Sequence, residues 1–260
     1  MIASPSPLEV AASRSLRSHL DSGEVHVWYA WTNRCNDARS LDYFHSLLTA
    51  EEERRLERFA FESLRHEYLL TRALCRTCLS RYADVAPEDW SFRVTQYGRP
   101  ELSLAETAGL KFNLSNARTL VACAVASRCE VGVDVEELDR HSDSMTVARR
   151  VFTPMELRDL YEIRSRGERR RRFFELWTLK ESYIKARGLG MSLPLDEFSF
   201  DLSGSDIAIS FDRSFGDCPR AWQFHLYRPS ERHVMALALR NRRHAECIVR
   251  VRETIPGAAR

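Results

Sequence analysis

The chain has 260 residues, enough for one large domain or two small ones with a sizeable buried core. Its 39 lysine and arginine residues nearly balance its 37 aspartate and glutamate residues, which argues against a protein dedicated to binding nucleic acid. Residues 1–20 lack the apolar segment of a signal peptide, and no apolar run reaches membrane-spanning length. We therefore expect a cytoplasmic protein that does not bind a membrane.

The first half of the chain predicts a mixed order of strands and helices. Alternating apolar residues predict a strand over residues 25–31, and Thr49 and Glu52 have the Thr-x-x-Glu spacing of a capping box that begins a helix. A second, apolar helix is expected over residues 66–82. Three predicted strands follow it, over residues 90–94, 112–115 and 120–126.

The cysteines fit a reducing compartment. There are seven, an odd number, and they are scattered along the chain. Cys75 and Cys78 form a C-x-x-C pair within the apolar helix, without a second pair or a nearby histidine. We predict buried free thiols at these two positions rather than a zinc or redox site.

The second half repeats the order of the first. A strand is predicted over residues 131–136, and Thr153 and Glu156 form a second capping box with Pro154 at the first helical position. A helix over residues 169–187 is expected to end at Gly188. Strands are then predicted over residues 198–202, 224–226 and 234–239, and the segment after Arg240 receives no assignment.

The similarity of the two halves favours an internal duplication, since Thr49 and Thr153 lie 104 positions apart and the order of elements agrees. We therefore predict an α+β fold of two pseudo-symmetric α/β lobes, residues 1–128 and 129–260. Chance similarity within an ordinary α+β chain is the alternative. The active site is expected in the cleft between the lobes, because pockets favour such interfaces. A monomer is expected, because the second lobe supplies the other half of the cleft.

The strand over residues 131–136 carries two acids on one face. Side chains alternate along a strand, so Asp134 and Glu136 point in the same direction. Two neighbouring carboxylates are costly to hold together without a cation, which favours a shared divalent ion. Solvated acids on a half-exposed edge strand are the alternative.

The helix over residues 169–187 carries polar groups where an apolar residue would pack better. Trp177, Glu181 and Lys185 are spaced by four and lie on one face, while Lys180 interrupts or borders the apolar stripe. Buried polar groups need partners, and a ligand is one candidate. An internal Lys–Glu pair at the helix rim is the other.

Three further segments offer groups suited to anions. Arg99 lies in a Gly-Arg-Pro turn, Ser115 and Asn116 lie at the end of a predicted strand, and Arg55 lies on the first helix. Each also has an ordinary structural explanation, because turns, strand ends and solvated helix faces use the same residue types.

Four motifs occur in a fixed order along the chain. They are Gly98-Arg99-Pro100, Phe112-Asn113-Leu114-Ser115, Gly132-Val133-Asp134-Val135-Glu136 and Trp177-x-x-Lys180-Glu181-Ser182-x-x-Lys185. Taken together they resemble the motifs of 4′-phosphopantetheinyl transferases of the two-lobed, surfactin-synthetase-activating type. The last two motifs are specific in this order and spacing, and the resemblance covers residues from about 25 to about 240.

The resemblance implies a reaction and a metal. A serine of an apo acyl or peptidyl carrier protein would attack the β-phosphate of coenzyme A, receive phosphopantetheine and release adenosine 3′,5′-bisphosphate. Asp134, Glu136 and Glu181 would hold Mg²⁺, which neutralises charge on the phosphate oxygens. Glu181, or a water on the metal, would accept the serine proton. The catalytic residues implied in this way are Glu181, Lys185 and Asp134.

The resemblance also implies residues that bind coenzyme A. Lys185 would contact the phosphate under attack, and Trp177 and Lys180 would position the helix and the diphosphate. Arg99 would serve as the basic residue of the turn, and Arg55 would reach the 3′-phosphate. Ser115 and Asn116 are expected to contact phosphate as well.

Asn116 departs from the family pattern. Many members have histidine after the serine of the second motif, whereas here Asn116 follows Ser115. Asparagine donates a hydrogen bond but cannot act as a base or become cationic. This substitution shifts the expected proton acceptor toward Glu181 or a metal-bound water.

Two alternative functions remain open from the sequence. A non-catalytic carrier-protein-binding relative of the same fold is one, although its retained carboxylates and Lys185 argue against it. The other is a different metal-dependent enzyme acting on a nucleotide pyrophosphate, which dependence on the 3′-phosphate of coenzyme A would distinguish.

Overall fold

The computed structural model describes residues 20–21, 23–103, 109–139, 144–240 and 246–258. Within these residues it contains six α-helices and eleven β-strands. The helices are α1 (Ala38–Ser46), α2 (Ala50–Glu57), α3 (Glu62–Leu79), α4 (Ser144–Val151), α5 (Pro154–Glu162) and α6 (Arg166–Arg187). The strands are β1 (Glu24–Trp31), β2 (Phe92–Val94), β3 (Pro100–Leu102), β4 (Leu110–Ala117), β5 (Leu120–Ser127), β6 (Glu130–Glu137), β7 (Phe198–Asp201), β8 (Ala208–Phe211), β9 (Trp222–Ser230), β10 (His233–Arg240) and β11 (Ile248–Glu253).

The strands form two main sheets and two short ribbons. The first sheet has the order β11-β1-β5-β4, and the second has the order β6-β10-β9. All neighbours pair antiparallel except β1 and β11, which are parallel. Strands β2 with β3 and β7 with β8 form the ribbons. The predicted α+β fold class is therefore confirmed.

Three apolar clusters hold these elements together. One lies between α3 and the first sheet and includes Leu70 and Leu74, and another surrounds α6 and includes Leu176 and Tyr183. The third cluster joins the two sheets and contains apolar residues from both. Its members include Val27, Leu120, Val131, Val133, Val135 and Leu237. Because β6 turns its valines toward this third cluster, the alternate residues of the strand face α6.

Gly132 brings α6 into close contact with β6. A Cβ atom at this position would lie 2.0 Å from the Ser182 carbonyl oxygen and 2.4 Å from the Ala186 nitrogen. No side chain larger than hydrogen fits there, so the backbones of strand and helix pack directly on each other. This contact sets the distance between Asp134 on β6 and the face of α6 that carries Lys185.

Both predicted capping boxes and the predicted end of the long helix at Gly188 are confirmed, although that helix begins at Arg166 rather than at residue 169. Thr49 with Glu52 and Thr153 with Glu156 both form reciprocal capping boxes, each of which stabilises its helix by about 1 kcal/mol. Helix α6 ends at Gly188, whose φ of 68° lies in the left-handed region.

The structure adds elements that the sequence did not predict. Helix α3 begins at Glu62, before the expected residue 66, and helices α1 and α4 were not predicted. Strand β11, from the unassigned C-terminal segment, joins the sheet built by the first half. The proposed division at residues 128 and 129 is therefore crossed by this last strand.

The predicted free thiols are confirmed, since Cys75 and Cys78 are both buried and unpaired. No helix among the described residues is long and apolar enough to span a membrane.

Candidate active site

Asp134 is buried at the centre of the candidate site, with only 5% of its surface exposed. Its Oδ1 accepts hydrogen bonds from Lys185 Nζ at 2.7 Å and from Ser115 Oγ at 3.0 Å. Its Oδ2 is equally buried but has no hydrogen-bond partner within the described ranges. An unpaired carboxylate oxygen in the interior is costly, so this atom is suited to a further ligand such as a cation.

Glu136 lies two residues further along β6 on the same face. Trp177 Nε1 on α6 donates a hydrogen bond to Glu136 Oε1 at 2.9 Å. The Trp177 ring is itself stacked on Phe173, with an interplanar angle of 11°. The tryptophan of the fourth motif thus fixes a carboxylate of the third.

Glu181 lies one turn after Trp177, close to both acids of β6. Burial and the negative charge of Asp134 raise the pKa of the Glu181 carboxyl to about 7. Lys185 opposes this rise and Glu136 adds to it. The crowding of negative charge therefore favours the protonated form of the Glu181 carboxyl. They are not drawn into a closed cluster, because no three His, Cys, Asp or Glu side chains in the described chain converge tightly enough to hold an ion.

Side chains of β4 bind the backbone of β6 where the two halves meet. The Val133 N–H donates to Asn113 Oδ1 at 2.9 Å, and the Val135 N–H donates to Ser115 Oγ at 3.1 Å. Lys185 Nζ also donates to Ser115 Oγ, at 2.9 Å. The second motif therefore holds the third motif in place.

A cavity of about 370 Å³ opens beside these groups. Both halves of the chain contribute to its walls, and Lys185 reaches it with 28% of its side chain exposed. The polar and charged lining residues are Glu67, Ser115, Asn116, Arg118, Asp134, Glu136, Glu137 and Lys185.

Comparison with known proteins decides the family. A model described as the 4′-phosphopantetheinyl transferase superfamily matches residues 130–238, and one described as 4′-phosphopantetheinyl transferase, N-terminal, matches residues 31–128. A 4′-phosphopantetheinyl transferase of Bacillus subtilis is 31% identical over 178 residues, covering 68% of this chain and 77% of that protein. The chain belongs to the 4′-phosphopantetheinyl transferase family.

Other members of the family agree. The 4′-phosphopantetheinyl transferase HetI of Nostoc sp. is 33% identical over 72% of this chain and 78% of its own length. The 4′-phosphopantetheinyl transferase Sfp of Bacillus subtilis is 32% identical over 67% of this chain and 76% of its own length. A solved holo-[acyl-carrier-protein] synthase of Thermotoga maritima covers 43% of this chain and 62% of its own, with 24% identity and a TM-score of 0.36, too low to add to the assignment. The resemblance read from the motifs is therefore confirmed.

Within this phosphopantetheinyl transferase fold, Lys180 lies in the core and not at the cavity. Its side chain is fully buried, and its Nζ donates to the carbonyl oxygens of Leu195 and Phe198 at 2.7 and 2.5 Å. The ammonium also pairs with the buried Glu156 at 3.0 Å. The charge of Lys180 is neutralised in the core between α5, α6 and the start of β7, so Lys180 is not placed to contact a diphosphate directly, and its role in positioning the helix and the diphosphate stays a prediction.

Ser115 also differs from expectation. A hydroxyl has one donor and two lone pairs. Ser115 donates to Asp134 and accepts from Val135 and Lys185, so its capacity is used within the protein. The structure gives Ser115 a scaffolding role and leaves no free donor for a predicted phosphate contact.

Arg99 and Arg55 lie outside the lining of the cavity. The Arg99 Nη1 donates to the carbonyl oxygens of Lys185 and Ala186 at 3.0 and 3.1 Å, at the C-terminal end of α6. A cation there stabilises the helix dipole. The exposed Arg55 guanidinium lies 5.6 Å from the centre of the Tyr68 ring. Contacts of Arg99 and Arg55 with coenzyme A remain predictions.

Two residues at the site were missed from the sequence. Glu67 on α3 is a buried carboxylate whose Oε1 accepts a hydrogen bond from Asn116 Nδ2. Arg118, at the turn between β4 and β5, is an exposed cation at the cavity. A single glutamate within a helix and a single arginine after a strand carry no recognisable pattern, so only the fold reveals them.

Proposed function

We propose that this protein transfers the 4′-phosphopantetheine group of coenzyme A to a serine of apo acyl or peptidyl carrier proteins. Adenosine 3′,5′-bisphosphate would be the second product. The observation that carries the proposal is the arrangement around Asp134. A buried carboxylate with one unpaired oxygen lies beside two other acids and a lysine that reaches an open cavity. The names of the relatives give the chemical class of the reaction.

The donor atoms present suit a magnesium ion, although the three carboxylates would have to move closer together than they stand among the described residues to hold it. Asp134 Oδ2 lacks a partner among the described residues, and Glu136 and Glu181 are the neighbouring carboxylates. Oxygen donors of this kind are those that Mg²⁺ prefers. We therefore propose that Asp134, Glu136 and Glu181 hold Mg²⁺, which when bound would neutralise charge on the pyrophosphate.

Lys185 is proposed to contact the phosphate under attack. Its ammonium has three N–H groups, of which Asp134 and Ser115 accept two. The third is available for a phosphate oxygen within the cavity. Because Asp134 and Ser115 hold the ammonium in place beforehand, little rotamer freedom is lost when the substrate binds.

Glu181 is proposed as the acceptor of the serine proton. Without a metal the pKa of its carboxyl is about 7, and bound Mg²⁺ would lower that pKa, so the group would be ionised and able to accept a proton at neutral pH. The cavity has no histidine among its described lining residues, since Asn116 occupies the position where many family members have one. The proton would therefore pass to a carboxylate rather than to an imidazole.

The decisive experiment measures the mass of apo acyl and apo peptidyl carrier proteins after incubation with this protein, coenzyme A and Mg²⁺. We expect each modified carrier to gain one phosphopantetheine group. Glu181→Gln should abolish the gain, whereas Glu88→Gln, an exposed carboxylate far along the chain, should not. Removal of divalent cations with EDTA should stop the reaction, and Mg²⁺ should restore it.

Two results would contradict the proposal. Binding of carriers without any mass gain, in folded protein, would favour a non-catalytic relative. Equal turnover of coenzyme A and its 3′-dephospho form, without carrier modification, would favour another enzyme acting on nucleotide pyrophosphates.

We also propose that the protein is a cytoplasmic monomer of two lobes, residues 1–128 and 129–260, in which β11 of the second stretch completes the sheet of the first. Support comes from the cavity, where Glu67 and Ser115 of the first half meet Asp134 and Lys185 of the second within one chain. Light scattering after size-exclusion chromatography tests the monomer directly. A stable dimer at assay concentration would overturn it.

A further inference from the structure

We infer that Glu67 is a positioning residue of this site, which acts by fixing the carboxamide of Asn116 toward a phosphate of coenzyme A. Glu67 belongs to none of the four motifs. The inference rests on the proposed function for the identity of the ligand. Its physical basis is a contact between α3 and the end of β4.

Glu67 is held rigidly at the wall of the cavity. Only 9% of its surface is exposed, and the helix around it is anchored by the buried residues Leu69 and Leu70. The same cavity is lined by Asp134 and Lys185. A carboxylate so placed is not one of the solvated charges of a helix surface, so its partner matters.

That partner is Asn116. Its Nδ2 donates a hydrogen bond to Glu67 Oε1, while the Asn116 residue as a whole remains exposed. An ionised carboxylate only accepts hydrogen bonds, so it selects the nitrogen end of the carboxamide. Without Glu67, an exposed asparagine would rotate freely and lose that freedom only when a ligand binds.

The fixed carboxamide has one further N–H group. Nδ2 carries two hydrogens, and Glu67 accepts one of them. The second is available for an anion. Arg118, two residues along the chain, also lines the cavity, and it makes no ion pair with any described residue. A neutral donor and a guanidinium at one cavity are suited to the oxygens of a phosphate.

The experiment compares binding and turnover in Glu67→Ala, Asn116→Ala and the double variant. Loss of one hydrogen bond of about 1 kcal/mol corresponds to about a fivefold change in affinity. We expect Glu67→Ala to raise both the calorimetric Kd and the KM for coenzyme A about fivefold, with kcat within twofold. The double variant should be no weaker than Asn116→Ala, because both changes remove the same interaction.

Two controls separate this role from a purely structural one. Glu67→Gln should bind coenzyme A nearly as well as the unchanged protein, since the glutamine side-chain oxygen still accepts from Asn116. Glu62→Ala, an exposed glutamate at the start of the same helix, should leave Kd, KM and kcat unchanged.

Several outcomes would overturn the inference. They are additive losses in the double variant, a fall in kcat with KM unchanged, or failure of Glu67→Gln to restore binding. Coenzyme A binding that is unaffected by Glu67→Ala would remove the inference and leave the proposed function intact. Binding with the expected variant pattern, but without carrier modification, would support the inference and remove the function.

Discussion

Gly132→Ala tests the geometry of the site most directly. The added Cβ would lie 2.0 Å from the Ser182 carbonyl oxygen, whereas ordinary contacts begin near 3.4 Å. The difference between these distances is 1.4 Å. The backbone of α6 or β6 must move by about this much, because the clashing atoms belong to the main chain of α6. Overpacking of this kind costs about 1–3 kcal/mol, and a rigid helix places the cost near the upper end.

The consequence for activity is larger than for folding. Helix α6 carries Glu181 and Lys185, so moving it away from β6 separates both from Asp134. Displacing catalytic groups by about 1 Å lowers rates by about a hundredfold. We therefore expect kcat/KM for carrier modification to fall by about two orders of magnitude in protein that still unfolds cooperatively in urea.

Gly167→Ala provides the matched control on the same helix. Its Cβ would meet only the Ser165 Oγ, at 3.9 Å, and its backbone has no left-handed φ. Alanine in a helix is favoured over glycine by about 1 kcal/mol, so this variant should be fully active and slightly more stable. Gly132→Ala with activity within threefold of the unchanged protein would refute the reasoning.

Three further predictions address the core, the last strand and the acidic cluster. Lys180→Met should lower the free energy of unfolding, measured by urea titration, by about 3–5 kcal/mol, because Glu156 is left as an unpaired buried charge. Adding Glu156→Gln to this variant should recover part of the lost stability. A loss of stability below 1 kcal/mol would show that the Lys180–Glu156 pair does not stabilise the fold. The hydrogen bond from Arg250 and the neighbouring His26 lower the pKa of Glu24 from 4.5 to about 2. This carboxylate therefore stabilises the folded state fully above about pH 4.5 and progressively less as the pH falls toward 2. Glu24→Gln should reduce the pH dependence of the free energy of unfolding between pH 4.5 and 2. An unchanged pH dependence would count against the contact between β1 and β11. Without divalent cations, carbon-13 NMR should show Glu181 titrating near pH 7, and Asp134→Asn should lower that pKa by removing the like charge. Adding Mg²⁺ should then release protons near neutral pH, whereas absence of proton release would argue against the proposed metal site.

The parts of the fold that follow local rules were predictable from the sequence. Capping boxes at Thr49 and Thr153 depend on residues three positions apart, and both formed. The face of β6 that carries Asp134 follows from strand alternation alone. The acids of β6 and the lysine of α6 belong to two specific motifs, and these motifs lie on neighbouring elements of the fold.

The remaining features depend on partners distant in the sequence. The partners of Lys180 could not be predicted, because its spacing shows a charge on a helix but not that Glu156 and two carbonyl oxygens surround it. Glu67 meets Asn116 only through the packing of α3 on β4. Strand β11 pairs with β1 across more than two hundred residues, and no local pattern encodes such a contact.

The position of β11 has a consequence for how the chain is made. Strand β1 is made more than two hundred residues before β11, and in the described part of the chain residues 248–253 cover one of its two edges. Until those residues have been made, the first half therefore presents an open strand edge, which is a template for pairing between chains. Nascent chains and shortened forms that end before residue 248 should depend on chaperones in a way that the chain of 260 residues does not.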